Sequence, residues 1–554
     1  MSLAEFDFII AGAGSAGCVL ANRLSENPAN KVLLLEAGPK DNSVLVRMPA
    51  GVAALITKPN ARNWGFETEA SPAMRNRTDY WPRGKGLGGS SSINGMVYIR
   101  GHARDYDQWR QMGLEGWSFA DVLPYFKKSE TNEEGGNDFR GSSGPLHVSN
   151  APKSSPLFNV AVEAGVQAGF KSTPDFNGEQ QEGFGLFQLT IKDGKRCSSS
   201  AAYLTPALQR PNLKVETGAL ISRVLFEGTR ATGIEYSQNG HTIQVKSRRE
   251  VVLSAGTIGS PQILLLSGLG DRDYLKRFGI PVVAHIPGVG KNLQDHLDVN
   301  VQYKCTQPVT AYAQVANPLS VIGIGLQYLL FGTGPGRSQG LEAGAFLKSR
   351  PELEVPDLQM HLFNAPFSDH GRKQLRMHAF GLHMCALRPE SRGFVALKSA
   401  DANDAALIQP NYLSAPNDLR TLREAVKIAR RVVAQPAFDA YRGEELSPGK
   451  QVTTDEEIDD FIRRTAITIY HPVGTAKMGS DDQAVVDAAL RVKGVQSLRV
   501  VDASVMPTLV GGNTNAPTIM IAEKASDLIL GKPPLPAEHR RIAEDESERF
   551  AAAR

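Results

Sequence analysis

The segment from Phe6 to Gly17 constrains this chain more than any other, because few backbones accommodate it. Phe6 to Ile10 is an apolar run of strand length, stopped by Gly12, Gly14 and Gly17. Ser15 to Leu24 then has helical spacing, with Ala16, Val19, Leu20 and Leu24 able to share one face. Lys31 to Leu35 reads as a second strand ending at Glu36, 19 positions after Gly17. Strand, glycine turn, helix and strand with a terminal acid is the pattern of a dinucleotide-binding unit, where an ordinary tight turn would not need the acid. Gly12 allows the tight turn, Gly14 lets backbone approach a pyrophosphate, and Gly17 lets helix and sheet pack closely. The phosphates are expected at the helix N-terminus and the ribose hydroxyls on Glu36. NAD and FAD both use such a unit, and these residues do not separate them.

A chain of 554 residues with 41% hydrophobic content can bury a large core and more than one domain. Its 61 basic and 58 acidic residues leave a net charge of only +3, which offers no footprint for nucleic acid. Cys18, Cys197, Cys305 and Cys385 are widely spaced and suggest neither a disulfide framework nor a metal site. No basic leader precedes the first strand, so no signal peptide is expected and a cytoplasmic location is. The longest apolar stretch, 319–331, is too short to span a bilayer. It is expected to be a buried helix or lid, with a peripheral contact to the inner face of a membrane as the alternative.

Between the ends, Trp81 to Val97 is the densest glycine–serine stretch and runs straight into apolar Met96 to Ile99. That combination fits a loop lying against a cofactor rather than a linker. Glu250 to Gly256 reads as a strand, and Ser260-Pro261 as the start of a helix reaching Ser267. Leu213 to Phe226 and Thr232 to Ser237 read as strands. Ser497 to Val501 is another strand, followed by Asp502, and Asn515-Ala516-Pro517 precedes an apolar helix from Thr518 to Leu530. The positive end of that helix would favour an anion. His471, beside Pro472, is one of 11 histidines. His296, after a glycine-rich turn and beside Asp295, is its rival, and local pattern does not choose between them.

Together these segments resemble the glucose–methanol–choline (GMC) oxidoreductases over about Phe6 to Gly531. The two internal signatures of that family are matched by Gly84 to Asp105 and by Gly256 to Gly270. The resemblance implies an α/β fold with an α+β substrate part: a Rossmann-like FAD-binding domain interleaved with a substrate domain on an antiparallel sheet of six strands. Boundaries are expected at 1–155, 206–310 and 481–531 for the FAD domain and 156–205 and 311–480 for the substrate domain, with a charged tail at 532–554. His471 matches the active-site base and Asn515 the second catalytic position. Cofactor contacts are implied for Gly12, Gly14, Ser15, Ala16, Gly17, Glu36, Ala37, Gly89, Asn94, Gly95, Met96, Val97, Ile221, Asp502, Ala503 and Thr514. His296 falls in a segment that is usually structural.

Ile93 stands where some members carry a histidine bonded covalently to flavin, so a non-covalent FAD is expected. The implied reaction is oxidation of a primary alcohol to an aldehyde, with hydride passing to flavin N5 and electrons to a quinone or another acceptor than O2. The motifs around His471 and Asn515 look closer to alkanol or polyether-alcohol dehydrogenases. Choline dehydrogenase and an O2-using oxidase are the alternatives, and a non-redox lyase is a remote one.

Overall fold

The computed structural model describes residues 3–543 except 366, 367 and 374. Its first sheet has strand Glu5–Ala11 at the centre, parallel to Val32–Glu36, which is parallel in turn to Leu213–Thr217. Six of the seven residues of Glu5–Ala11 are buried, as expected for a parallel strand covered on both faces. The long strand His241–Leu253 serves two partners. Its first half pairs antiparallel with Arg230–Gln238, and its second half runs parallel to Glu5–Ala11 and to Leu498–Val500. The expected strands at 213–226 are two, Leu213–Thr217 and Leu220–Glu227.

Helix Ser15–Leu24 follows the glycine turn at close range. A Cβ on Gly17 would lie 1.9 Å from the Gly12 carbonyl oxygen, and Gly12 itself has φ +104°. Only glycine at both positions permits that approach.

The second sheet is antiparallel, in the order Arg442–Ser447, Leu297–Cys305, Ala379–Ala386, Leu358–Phe363, Ala343–Leu347 and Gly183–Leu186. A short strand, Ile467–Thr468, pairs beside Arg442–Ser447 at the start of Leu297–Cys305. The six-strand expectation therefore holds, with this one addition. Because Leu297–Cys305 lies in the second sheet, we propose that the substrate domain begins just before Leu297 rather than at 311.

Side chains in this sheet alternate in an instructive way. Val299, Val301, Phe380, Leu382, Met384, Met360 and Leu362 join one core with Leu422, Val426 and Ala429 of helix Pro416–Val433. Asp298, His361, Phe363 and His383, on the opposite face, line a cavity between the sheets. The sheet thus keeps its apolar face for a helix and its polar face for the site.

Two helix starts differ from expectation. The helix expected from Ser260 begins at Gly256 and carries Pro261 inside it. Pro261 has no N–H for the Thr257 carbonyl, and the Thr475 hydroxyl donates to that oxygen instead at 2.6 Å. The last helix runs Asn515–Leu530, three residues earlier than expected. Of the expected tail, residues 544–554 lie outside the described residues, and 532–543 folds back so that Glu538 N–H donates to the Ala120 carbonyl.

Thr475 is fully buried, so Thr475→Val should leave a buried carbonyl unsatisfied at nearly constant volume. The expected loss is about 1–3 kcal/mol of stability, read as a lowered denaturation midpoint. An unchanged midpoint would mean that the helix absorbs Pro261 without help.

Candidate active site

The cavity between the two sheets has a volume of about 1770 Å³ and is lined by residues from both ends of the chain. Every expected cofactor residue except Gly17 lines it, from Glu36, Ala37 and Ile221 to Asn94, Met96, Asp502 and Thr514. Gly17 is packed behind the turn.

Two helix N-termini meet at this cavity. Neither Ser15–Leu24 nor Asn515–Leu530 has a side-chain cap or an acid in its first turn. Their free N–H groups and dipoles remain available to an anion. A Cβ on Gly14 would find its nearest neighbour, the Ser254 carbonyl oxygen, 3.8 Å away, so there is room at the backbone there. These features fit the pyrophosphate of FAD.

Several expected contacts carry structural duties as well. The Glu36 carboxylate accepts hydrogen bonds from Ala13, Gly38 and Gly86 N–H at 2.8–2.9 Å, tying three loops together. Burial pushes its pKa up, against those bonds. A carboxylate has four lone-pair sites, so one remains for a ribose hydroxyl. Asp502, also raised by burial, accepts from Gly256 N–H at 2.9 Å and from the Ser260 hydroxyl at 2.6 Å. It braces the early helix start beside the cavity.

The loop after Trp81 is held by Arg196, which sequence reasoning missed. Its guanidinium donates to the Asn94 carbonyl at 2.7 Å and to the Asn94 side-chain oxygen at 2.8 Å. Burial without a paired acid lowers its pKa to about 9. Ile93 is buried in the cavity wall and offers no nucleophile.

His471 and His296 are not rivals but neighbours. Leu297 pairs with Thr468, and Ile469 N–H donates to the His296 carbonyl, so strand register brings the two rings together. His296 Nε2 lies 3.2 Å from the Leu387 carbonyl and must donate to it, since a carbonyl only accepts. In neutral His296, Nδ1 is then an acceptor. It lies 3.0 Å from His471 Nδ1, which must carry the hydrogen. His471 Nε2 is left with its lone pair, 3.1 Å from the Asn513 amide nitrogen. The Gln359 amide donates to Asn513 Oδ1 at 3.1 Å and so fixes which way the Asn513 amide points. Burial lowers the pKa of both rings, to about 3 for His296 and well below 6.5 for His471, whose neighbours His296, His361 and Arg83 add to the effect.

This geometry corrects one expectation. Asn515, expected opposite His471, is the first residue of the last helix and accepts from the Ser15 hydroxyl at 2.7 Å, linking the two helix N-termini. Asn513, two residues earlier in extended loop, makes the contact with His471. The sequence Gly512-Asn513-Thr514-Asn515 contains both asparagines, and only the helix start separates them.

Also missed were Asp298, His361 and His383. Asp298 is fully buried; its Oδ2 accepts from His383 Nδ1 at 2.6 Å, and its Oδ1 has no hydrogen-bond partner. The signal was present as strict alternation in Leu297-Asp298-Val299-Asn300-Val301 and in Leu358-Gln359-Met360-His361-Leu362. No group of acids, histidines and cysteines among the described residues is arranged to hold a metal.

Comparison with known proteins places the chain among relatives over nearly its whole length. A GMC oxidoreductase family model matches residues 6–298, and its C-terminal counterpart matches 389–522. The mitochondrial choline dehydrogenase of Mus musculus is 50% identical over 540 residues, 96% of this chain and 90% of its own. The oxygen-dependent choline dehydrogenase of Brucella suis biovar 1 is 46% identical over 533 residues, 96% of each chain. Among solved structures, pyridoxine 4-oxidase from Mesorbium loti matches with a TM-score of 0.87 at 32% identity, over 95% of this chain and 100% of its own.

Gly14→Val tests the cofactor end. Its backbone lies at φ −73°, so valine is tolerated there without flavin, but its side chain occupies the cradle. Folded, colourless protein is expected, by absorbance and circular dichroism, whereas yellow protein would place the pyrophosphate elsewhere.

Proposed function

This chain belongs to the GMC oxidoreductase family, and on that premise we propose that it oxidises choline to its aldehyde and passes the electrons to a quinone or another acceptor than O2. Its class is an FAD-dependent oxidoreductase acting on CH–OH groups. The observation that carries the choline reading is Asp298, a buried carboxylate with one unpartnered oxygen in the wall of the cavity that holds His471. A buried anion without a full complement of donors suits a substrate that brings a positive charge. The motifs near His471 pointed toward alkanol or polyether-alcohol oxidation. Identity to choline dehydrogenases over 96% of the chain favours the choline alternative over that branch. The name of the Brucella relative supports an O2-using variant as a second reading of the acceptor.

FAD, when bound, supplies the two-electron acceptor for the hydride that leaves the alcohol carbon. The chain's own residues handle the proton and the charge. Neutral His471 takes the hydroxyl proton at Nε2, the nitrogen that carries the lone pair and that faces the Asn513 amide until substrate enters between them. His296 is a positioning residue, because its Nδ1 holds the hydrogen of His471 on the far nitrogen. The substrate oxygen enters between His471 Nε2 and the Asn513 amide, which donates to it as negative charge develops. Burial disfavours the imidazolium that forms, and the adjacent alkoxide offsets that cost until the C–H bond breaks.

His471→Ala should retain flavin and lose at least about 10²-fold in the rate of anaerobic flavin reduction, the range for a missing general base. Asn513→Leu should cost about 10²–10³-fold, as for a lost oxyanion donor, and Asn515→Leu distinctly less. His296→Asn, which can still accept from Nδ1–H, should keep more of the rate than His296→Leu. If Asn515→Leu is the slower of the asparagine pair, the assignment to Asn513 fails. If the two His296 variants are equal, the tautomer role fails.

Asp298→Asn should raise KM for choline by at least about tenfold, since breaking a buried charge pair costs more than the 1.4 kcal/mol that tenfold represents. KM for the uncharged isostere, with carbon in place of the ammonium nitrogen, should barely move. Equal changes for both alcohols would remove Asp298 from cation recognition. Acceptor preference is read by comparing O2 with a soluble quinone on the same preparation.

A further inference from the structure

Helix Pro318–Phe331 has its amphipathicity inside out. Leu319, Ile322, Leu326, Leu329 and Leu330 fall within about 100° of one another around the helix, and each is 53–74% exposed. On the opposite side Tyr328 is buried, and its hydroxyl donates to the Arg47 and Gly194 carbonyls at 3.2 Å. The helix is therefore fastened by a polar anchor while its apolar face points to solvent. No charged residue occurs from Cys305 to Gly336. Half of the exposed large hydrophobic residues of the described chain lie on this one helix.

The rim of this face is cationic. Exposed Arg47 lies beside one anchor point of Tyr328, and exposed Lys192 and Lys195 flank the other at Gly194, with Asp193 the one acid between them. Arg337 is exposed and closes over Gly194, and Gly336 packs against the Tyr328 ring. Exposed Val44 and Leu45 extend the apolar surface next to Arg47. The helix has 14 residues, about 21 Å, which is too short to cross a hydrocarbon core of about 30 Å. No helix among the described residues is long and apolar enough to do so. An apolar face with basic flanks and insufficient length is the pattern of a helix lying in the plane of an anionic bilayer surface.

The same helix borders the site. Val321, with Tyr312, Gln314 and Ala316 before it and Pro335 after it, lines the cavity that contains His471. We propose that Pro318–Phe331 docks the enzyme on anionic lipid membranes and sets the mouth of the cavity at the lipid surface, where a bilayer-dissolved quinone can enter. The quinone clause rests on the acceptor reading above, and the docking clause does not.

Flotation of the flavin-loaded protein with phosphatidylcholine vesicles, with and without phosphatidylglycerol, tests the docking. Binding is expected to vesicles containing phosphatidylglycerol and to weaken with salt. Leu326→Gln/Leu330→Gln/Phe331→Gln should reduce it at least tenfold, and Arg47→Gln/Arg337→Gln should reduce it on anionic vesicles. Flavin content and choline turnover with a soluble dye should be unchanged in both, which separates failure of docking from failure of the catalytic assignment. A wild type that does not float, or a triple variant that floats equally well, overturns the proposal. So does a concentration-dependent dimer that the triple variant abolishes, because a second copy would then cover the face. With a long-chain quinone in the vesicles, the triple variant should lose at least tenfold in rate. An unchanged rate there, with docking lost, overturns the quinone clause alone.

Discussion

Asp295 holds together the segments that carry His296 and His471. It is buried, and burial raises its pKa to about 6 despite the bonds it accepts. Its two oxygens accept from the Thr468 hydroxyl, the Tyr412 hydroxyl and the His471 backbone N–H. These bonds join the start of strand Leu297–Cys305 to the end of strand Ile467–Thr468. His296 directly precedes the first of these strands, and His471 lies three residues beyond the second. Tyr470 takes φ +71° there, a left-handed conformation that bulky residues rarely adopt. Its hydroxyl is fixed by His370, which is fixed in turn by Asp79. Asp79 also accepts from Thr468 N–H, so the loop is held from both sides.

The consequence is a histidine whose lone-pair nitrogen is chosen by its surroundings. A free histidine distributes its proton between two nitrogens, but the Leu387 carbonyl can only accept, and that one fact propagates through His296 to His471. Gln359 exerts the corresponding control on Asn513. Both chains of hydrogen bonds run through the polar face of the second sheet, while its apolar face packs on helix Pro416–Val433. The sheet is at once a core layer and the support of the site. The first sheet contributes charge: two uncapped helix N-termini, joined by the Ser15–Asn515 hydrogen bond, meet at the cavity. A cofactor anion is favoured by that pairing more than by either helix alone.

The nucleotide unit was legible because everything it needs is local. Gly12, Gly14, Gly17 and Glu36 lie within one strand–helix–strand segment, and their spacing encodes sterics that no distant residue alters. His471 was singled out only through the family resemblance, because local pattern left it level with His296. The alternation in Leu297 to Val301 does not by itself mark a site, because a polar face reads as solvent-facing until something is known to cover it. Arg196 carried no signal of its own, since its value lies in the loop it reaches.

By itself, then, the sequence determined the glycine turn, the helix it opens and the acid that follows, because sterics and hydrogen bonding within about 30 residues decide them. Tertiary structure alone decided what stands opposite His471. The two histidines are 175 residues apart, and strand register makes them neighbours. Asn513 and Asn515 are chemically identical and two positions apart. The start of the last helix turns one toward Ser15 and leaves the other beside His471. Local pattern cannot make that choice, because it depends on where helix Asn515–Leu530 begins against helix Ser15–Leu24 from the other end of the chain.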